Sequence, residues 1–278
     1  MLKQIATAFL ILFSITMMGQ DFAKIEKEIR SLSGENIKAY WEALQSFDQS
    51  NIDNGSEDVA LNAIVNHYKT AVLIHYHGYP VVKEYDYPAY VTPWLTWIHC
   101  PSGALKQYTF PIILEGRDKQ QLPEGRFPDY YVGGMLLDIY GLDMVYDEDF
   151  HTNGASPVSR FLYRMEEDRH EIDLKELQKL SEDAIKLTKP QTIMEIGKWE
   201  VLQHDTKTYF SIGKVKKDFY LVYHTETGHR DYSRLKYAGK NTYDFVEGYG
   251  FYSLIMDGTL QFRDHTGKVV KTLQPVKM

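Results

Sequence analysis

A chain of 278 residues with 31 Lys and Arg against 38 Asp and Glu carries a formal net charge of -7. That balance excludes binding to nucleic acid, or to an anionic membrane face, through bulk charge. The single cysteine, Cys100, excludes an intramolecular disulfide, so stability must come from packed cores.

The N-terminus reads as an export signal. Lys3 supplies a positive n-region, Ile5 to Ile15 form an apolar stretch interrupted only by Thr7 and Ser14, and Gly19 offers the small residue of a cleavage site. The stretch is shorter than the roughly 20 apolar residues that cross a bilayer. Cys100 is far from the signal, which leaves no site for a lipid anchor. The expected product is a soluble periplasmic or secreted protein with no integral membrane segment. Removing nineteen residues from 278 leaves 259, and losing Lys3 takes the charge from -7 to -8. That length suits two domains of ordinary size.

From Asp21 to Lys189 the apolar residues recur at helical spacing. Phe22, Ile25, Ile29 and Leu32 mark one short helix, and Ile37, Tyr40, Trp41 and Leu44 a second after Ser33-Gly34. Ser50 to Ser56 reads as a polar loop. From Glu57 a longer helix places Leu61, Ile64, Val65, Tyr68, Ala71 and Val72 on one face and stops at Gly78-Tyr79-Pro80. Pro88 opens a tryptophan-rich helix through Trp94, Trp97 and Ile98, with Pro93 tolerated or kinking it. Leu105 to Leu114 forms a further helix beyond Pro101-Ser102-Gly103. Pro128 starts another that Gly141 closes, Leu142 to Ser156 is an acidic loop, and Val158 to Leu187 holds one or two charged amphipathic helices. Residues 20–189 thus read as stacked helical hairpins.

Gly78-Tyr79-Pro80, the helix ending in Ile98-His99, Leu122-Pro123, Asp138 with Tyr140-Gly141, and Asp168-Arg169 ahead of Leu174 and Leu177 occur in an order that resembles an uncharacterised helical domain family of bacterial proteins. Leu142 after Tyr140-Gly141, and the acidic loop beyond it, depart from that family's pattern. The resemblance implies a helical fold over about two thirds of the chain and assigns no activity.

Beyond Lys189-Pro190 the period changes to two. Trp199–Gln203, Thr208–Ile212, Phe219–Tyr223, Tyr232–Tyr237, Tyr243–Val246, Phe251–Met256, Thr259–Arg263 and Lys268–Leu273 read as short strands, and Asp257-Gly258 signals a type I′ hairpin turn. The expected fold is α+β: an all-α helical-hairpin domain over 20–189, then an antiparallel β meander over 190–278, closed as a small barrel or sandwich. Gly197-Lys198-Trp199 looks like the opening Gly-x-Trp of lipocalin-type barrels, which enclose small apolar ligands; strands this short leave little interior beyond their own side chains.

Candidate chemistry is sparse. His75 and His77 close the long helix, while His99 and Cys100 close the tryptophan-rich one. If those ends meet, they would form a metal site or a thiol–imidazole pair, and His75, His99 and Asp138 are the candidate catalytic residues. The plainer reading makes His75 a hydrogen-bonded core histidine on the stripe of Leu61 and Tyr68, and Cys100 a small buried hydrophobe. His75-x-His77 lacks the i, i+4 spacing of helical zinc sites. Asp143, Asp147, Glu148 and Asp149 lack calcium-loop order and read as a solvated turn. Arg160, Arg164 and Arg169 beside Glu166, Glu167 and Glu171 read as surface ion pairs. Trp199, Arg230 and Arg234 are candidate binding residues, the last two in a polar patch at a hairpin bend. No metal and no cofactor is expected.

Function divides three ways on these grounds. The first reading is a non-enzymatic binding or accessory protein that presents aromatic surfaces to a protein or polymer partner. The second is a hydrolase of an envelope or extracellular polymer with a site at the junction of His75, His99 and carboxylates such as Asp138, which requires His99 within about 3 Å of a carboxylate, directly or through one water, inside an open cleft. The third is a small-molecule carrier, which requires an apolar cavity behind Trp199.

Overall fold

The computed structural model describes residues 21–53, 58–119, 165–188, 194–203, 206–224, 230–245, 252–264 and 266–276. The expected signal over 1–19, the Pro128 helix with Asp138, the acidic loop, Arg160 and Arg164 lie outside them. The described residues form eight helices and a closed barrel of eight antiparallel strands, an α+β fold. None of these helices is long and apolar enough to cross a membrane.

The chain packs as two compact units. The first holds the described residues within 1–100, 109–124 and 171–182, and the second those within 101–108, 125–170 and 183–278.

In chain order the helices are α1 (Phe22–Arg30), α2 (Glu35–Asp53), α3 (Val59–His77), α4 (Tyr87–Tyr90), α5 (Thr92–His99), α6 (Gly103–Tyr108), α7 (Phe110–Asp118) and α8 (Leu174–Thr188). Asp21 caps α1 by accepting from the Lys24 amide at 3.0 Å. Three expectations change. Ser50 to Asp53 continue α2 instead of opening a loop. Two polar side chains serve the helix end: Ser50 Oγ donates to the Phe47 carbonyl, and Asn51 donates to the Val59 carbonyl at 3.1 Å. The tryptophan-rich helix is divided into α4 and α5, because Pro93 at the start of α5 lacks the N–H that would continue the preceding turn. Leu105 to Leu114 is likewise two helices, broken at Thr109 where Pro111 opens α7.

α3 is the centre of the first unit. Every residue from Ala63 to Ile74 is buried. Around it pack Phe22 and Ile29 of α1, Trp41 and Leu44 of α2, and Trp94 and Trp97 of α5, all at 3% exposure or less. Trp94 and Trp97 stack at 5.8 Å, and Phe22 meets Tyr68 edge to face at 4.5 Å.

The strands are β1 (Met194–Gln203), β2 (Thr206–Val215), β3 (Asp218–His224), β4 (Arg230–Gly239), β5 (Thr242–Phe245), β6 (Tyr252–Met256), β7 (Thr259–Arg263) and β8 (Val269–Pro275). Each pairs with the next, and β1 closes on β8 through Trp199 opposite Pro275 and Glu200 opposite Gln274. The β6–β7 turn has φ of 50° at Asp257 and 80° at Gly258, as a type I′ turn demands. Phe210, Leu221, Leu235, Phe245, Leu260, Phe262 and Leu273 are buried at 4% or less. Phe262 lies 5.8 Å from Phe210 and 6.1 Å from Phe245, ring to ring, so aromatic side chains occupy the middle of the barrel. The outer face is buried too at Ser211, Val222 and Tyr232. There residues 101–108 join the barrel: the Tyr232 amide donates to the Pro101 carbonyl at 3.3 Å, and α6 packs on β4.

Gly197-Lys198-Trp199 has a packing explanation. The Trp199 indole folds back over Gly197 while its Nε1 donates to the Gly258 carbonyl at 2.8 Å. A Cβ on residue 197 would stand 2.6 Å from Trp199 Cζ2. Gly197→Ala is therefore expected to lower barrel stability by about 1–3 kcal/mol in urea unfolding. An unchanged midpoint would mean that the indole can move aside.

Candidate functional site

A helix buried on all sides is ordinarily apolar on all sides. α3 instead carries Asn66, His67, Lys69 and Thr70, each exposed by 3% or less. Buried polar groups cost free energy unless they are bonded, so their partners define what lies inside the first unit. His67 Nε2 meets Thr109 Oγ1 at 2.6 Å, and the Thr96 hydroxyl donates to that of Thr70 at 2.9 Å.

Asn66 Nδ2 donates to Asp48 Oδ1 at 3.0 Å, and Asp48 Oδ2 meets His99 Nδ1 at 2.7 Å. Asp48 from α2, Asn66 from α3 and His99 from the last turn of α5 thus form one connected group. Their exposure is graded: the Asp48 side chain is 1% exposed and the His99 side chain 22%. Among the described residues, His99 Nε2 makes no hydrogen bond. A buried carboxylate on Nδ1 places the proton of a neutral ring there and leaves the Nε2 lone pair facing outward. That is the arrangement a general base needs, with a second acceptor site on the carboxylate held by Asn66.

A second polar group lies on the same helix. Lys69 makes no hydrogen bond or ion pair among the described residues, and its electrostatic partner is Glu28 of α1. Burial lowers its amine to about 8, a fall that the Glu28 carboxylate opposes. Burial in turn raises Glu28 against the pull of Lys69 and Lys24. The Tyr40 hydroxyl is raised by burial, with the Glu28 charge adding to it.

The barrel holds a serine–imidazole contact, Ser211 Oγ to His224 Nε2 at 2.8 Å, with His224 stacked on Tyr209 at 4.2 Å and Lys198 Nζ 3.4 Å from the Tyr209 ring centre. Ser211 is 1% and His224 6% exposed. This pair satisfies buried polar atoms with little opening to solvent, which separates it from the Asp48–His99 pair.

No protein-family model, curated protein or solved structure matches this chain. The candidate site rests on its own chemistry.

The residues singled out in the sequence are dispersed. His75 is exposed and packs edge to face on Tyr76 at 4.8 Å, which corrects the reading of a core histidine. The buried run of α3 ends at Ile74, so the stripe of Leu61 and Tyr68 loses its cover one residue before His75. His77 Nε2 instead meets the Ile29 carbonyl at 2.7 Å. Neither histidine bonds to His99, and among the described residues no three of His, Cys, Asp and Glu gather as metal ligands. The hydrolase reading asked for a carboxylate near His99, and the partner among the described residues is Asp48; Asp138 lies outside them. Cys100 is fully buried. Trp199 is 3% exposed and acts as a packing anchor on Gly258. Arg230 and Arg234 belong to β4, opposite His224 and Tyr220, not to a bend, because the strand extends from Arg230 to Gly239. Arg234 is exposed there.

Asp48 and Asn66 escaped the sequence reading. The available signal was polar residues within an apolar helix, Asn66-His67 and Lys69-Thr70, which a search for apolar periodicity passes over.

Proposed function

We propose that the Asp48–His99 pair is a general acid–base site and that the protein is an exported hydrolase of an envelope or extracellular polymer. The observation that carries this is the 2.7 Å contact between a fully buried carboxylate and a partly exposed imidazole whose other nitrogen is free among the described residues. In this reading Nε2 takes a proton from the attacking water or hydroxyl, and Asp48 stabilises the imidazolium that results.

The test is turnover of fluorogenic esters, amides and glycosides, and of cell-envelope polymer, by the mature chain and by Asp48→Asn and His99→Gln. Both variants are expected to lose activity by about a hundredfold or more. Long-range nitrogen NMR of wild type should place the proton of the neutral His99 ring on Nδ1. Turnover that survives both substitutions, or no turnover of any class, overturns the reading.

A second reading, a binding or accessory protein, is favoured by the second unit. Phe210, Phe245 and Phe262 meet inside its barrel, which favours a packed interior over a carrier's cavity, and its surface carries exposed aromatic and apolar side chains.

A further inference from the structure

In an up-and-down barrel alternate turns share an end. The β2–β3, β4–β5 and β6–β7 turns therefore lie together with the start of β1 and the end of β8. This end gathers Lys214, Lys216, Lys217, Lys236 and Lys240, against Glu195, Asp218, Asp244 and Asp257. None of the five lysines is in an ion pair among the described residues; Lys214 Nζ lies 5.2 Å from the Phe219 ring centre. The same end bears Met194 at 59%, Ile196 at 40%, Tyr237 at 47% and Met256 at 44% exposure, four of the seven most exposed large hydrophobic residues among those described. Tyr237 is the outermost of a three-ring cluster, 5.6 Å from Phe219 and 5.2 Å from Tyr243.

The turns add an independent observation. Among the described residues, the non-glycine ones with positive φ are Lys216 (56°), Lys240 (47°), Asn241 (59°) and Asp257 (50°), and all four lie at this end. Asn and Asp adopt the left-handed region readily, whereas lysine does so at a cost that Gly or Asn would avoid. Lysine nevertheless occupies it in two separate turns.

We propose that this end of the barrel docks on an anionic lipid bilayer surface, an inference that deepens the binding reading of the second unit. Lysines around a membrane-facing surface are attracted to acidic headgroups, and their aliphatic stems can lie along the acyl boundary while the ammonium groups reach water. Met194, Ile196 and Met256 are suited to the hydrocarbon side of that boundary, and Tyr237 to the headgroup level. An acidic polysaccharide would use the lysines and leave the aliphatic side chains without a role. A protein interface core is depleted in lysine. The net charge of -7 belongs to the whole chain and does not oppose a local cationic end.

The experiment is co-sedimentation of the mature chain with vesicles of phosphatidylcholine, with or without roughly one-third phosphatidylglycerol, at about 0.1 M and about 1 M salt. Binding is expected on the anionic vesicles alone and is expected to weaken in high salt. Lys216→Asn with Lys240→Asn removes two charges while placing a residue suited to left-handed φ at both positions, so the fold is kept. That double variant should bind about thirtyfold more weakly. Met194→Ser with Met256→Ser should weaken binding about tenfold with the charges intact. Equal binding to both vesicle types, or no binding, overturns the proposal. So does anionic-vesicle binding that survives the lysine double variant. Lysine-dependent capture by an acidic polysaccharide without vesicle binding would also overturn it and reassign the surface. His99→Gln leaves this measurement unchanged, so the lipid proposal and the acid–base proposal fail separately.

Discussion

Replacing Lys69 by methionine is expected to stabilise the first unit by about 3 kcal/mol at pH 7. Below about 8 the folded chain must carry a charged ammonium that burial disfavours, while in the unfolded chain the same group is solvated. Between about 8 and the ordinary lysine value of 10.5 the folded state has shed that proton and the unfolded state retains it. The unfolded chain then binds more protons, so stability rises with pH through this window, and the penalty is gone above it. Ionisation of tyrosine acts in the opposite sense at higher pH. Tyr40, Tyr68 and Tyr79 are all raised, principally by burial, so an unfolded chain loses those protons first and stability falls above about 10. Wild type should therefore gain stability from about pH 8 upward and be most stable close to pH 10. In Lys69→Met the rise into that window should disappear, while the alkaline fall remains. Thermal unfolding across pH 6 to 11 reads both, and a variant that tracks wild type at every pH would show that Lys69 carries no such penalty.

Phe262→Ala is expected to cost about 3–5 kcal/mol in denaturant unfolding followed by a barrel signal such as Trp199 fluorescence. Phe262 is fully buried and joins Phe210 of β2 to Phe245 of β5, so its ring spans the interior between strands that do not pair with each other. Truncation removes those contacts and leaves a void that eight closed strands cannot easily collapse to fill. A cost under about 1 kcal/mol would mean that the interior rearranges freely.

What could be read from the chain alone follows the range of the interactions involved. The Asp257-Gly258 turn was legible because two adjacent residues set it, and the eight strands because alternation is a local property. The break at Thr109 was not, because Leu105, Phe110, Ile113 and Leu114 keep an apolar spacing compatible with one helix while Pro111 can open a new one. The Asp48–His99 pair spans 51 positions, and nothing in the neighbourhood of Asp48 distinguishes it from the solvated acids elsewhere. The lysine end was dispersed in the same way: its five lysines lie in two strands and two turns, and only the up-and-down topology brings them to one end.

The placement of residues 101–108 has a consequence in time. Pro101 and Ser102 find their barrel partner at Tyr232, 130 to 131 positions later in the chain. Synthesis at about 5–20 residues per second delivers that partner on the order of ten seconds after Pro101 itself. For that interval α6 has been made but the strand it packs against has not, although the helices on either side of it can already pack around α3. A holdase that recognises apolar segments would find α6 accessible then and covered afterwards, so the order of synthesis itself sets a window during which the nascent chain is open to capture.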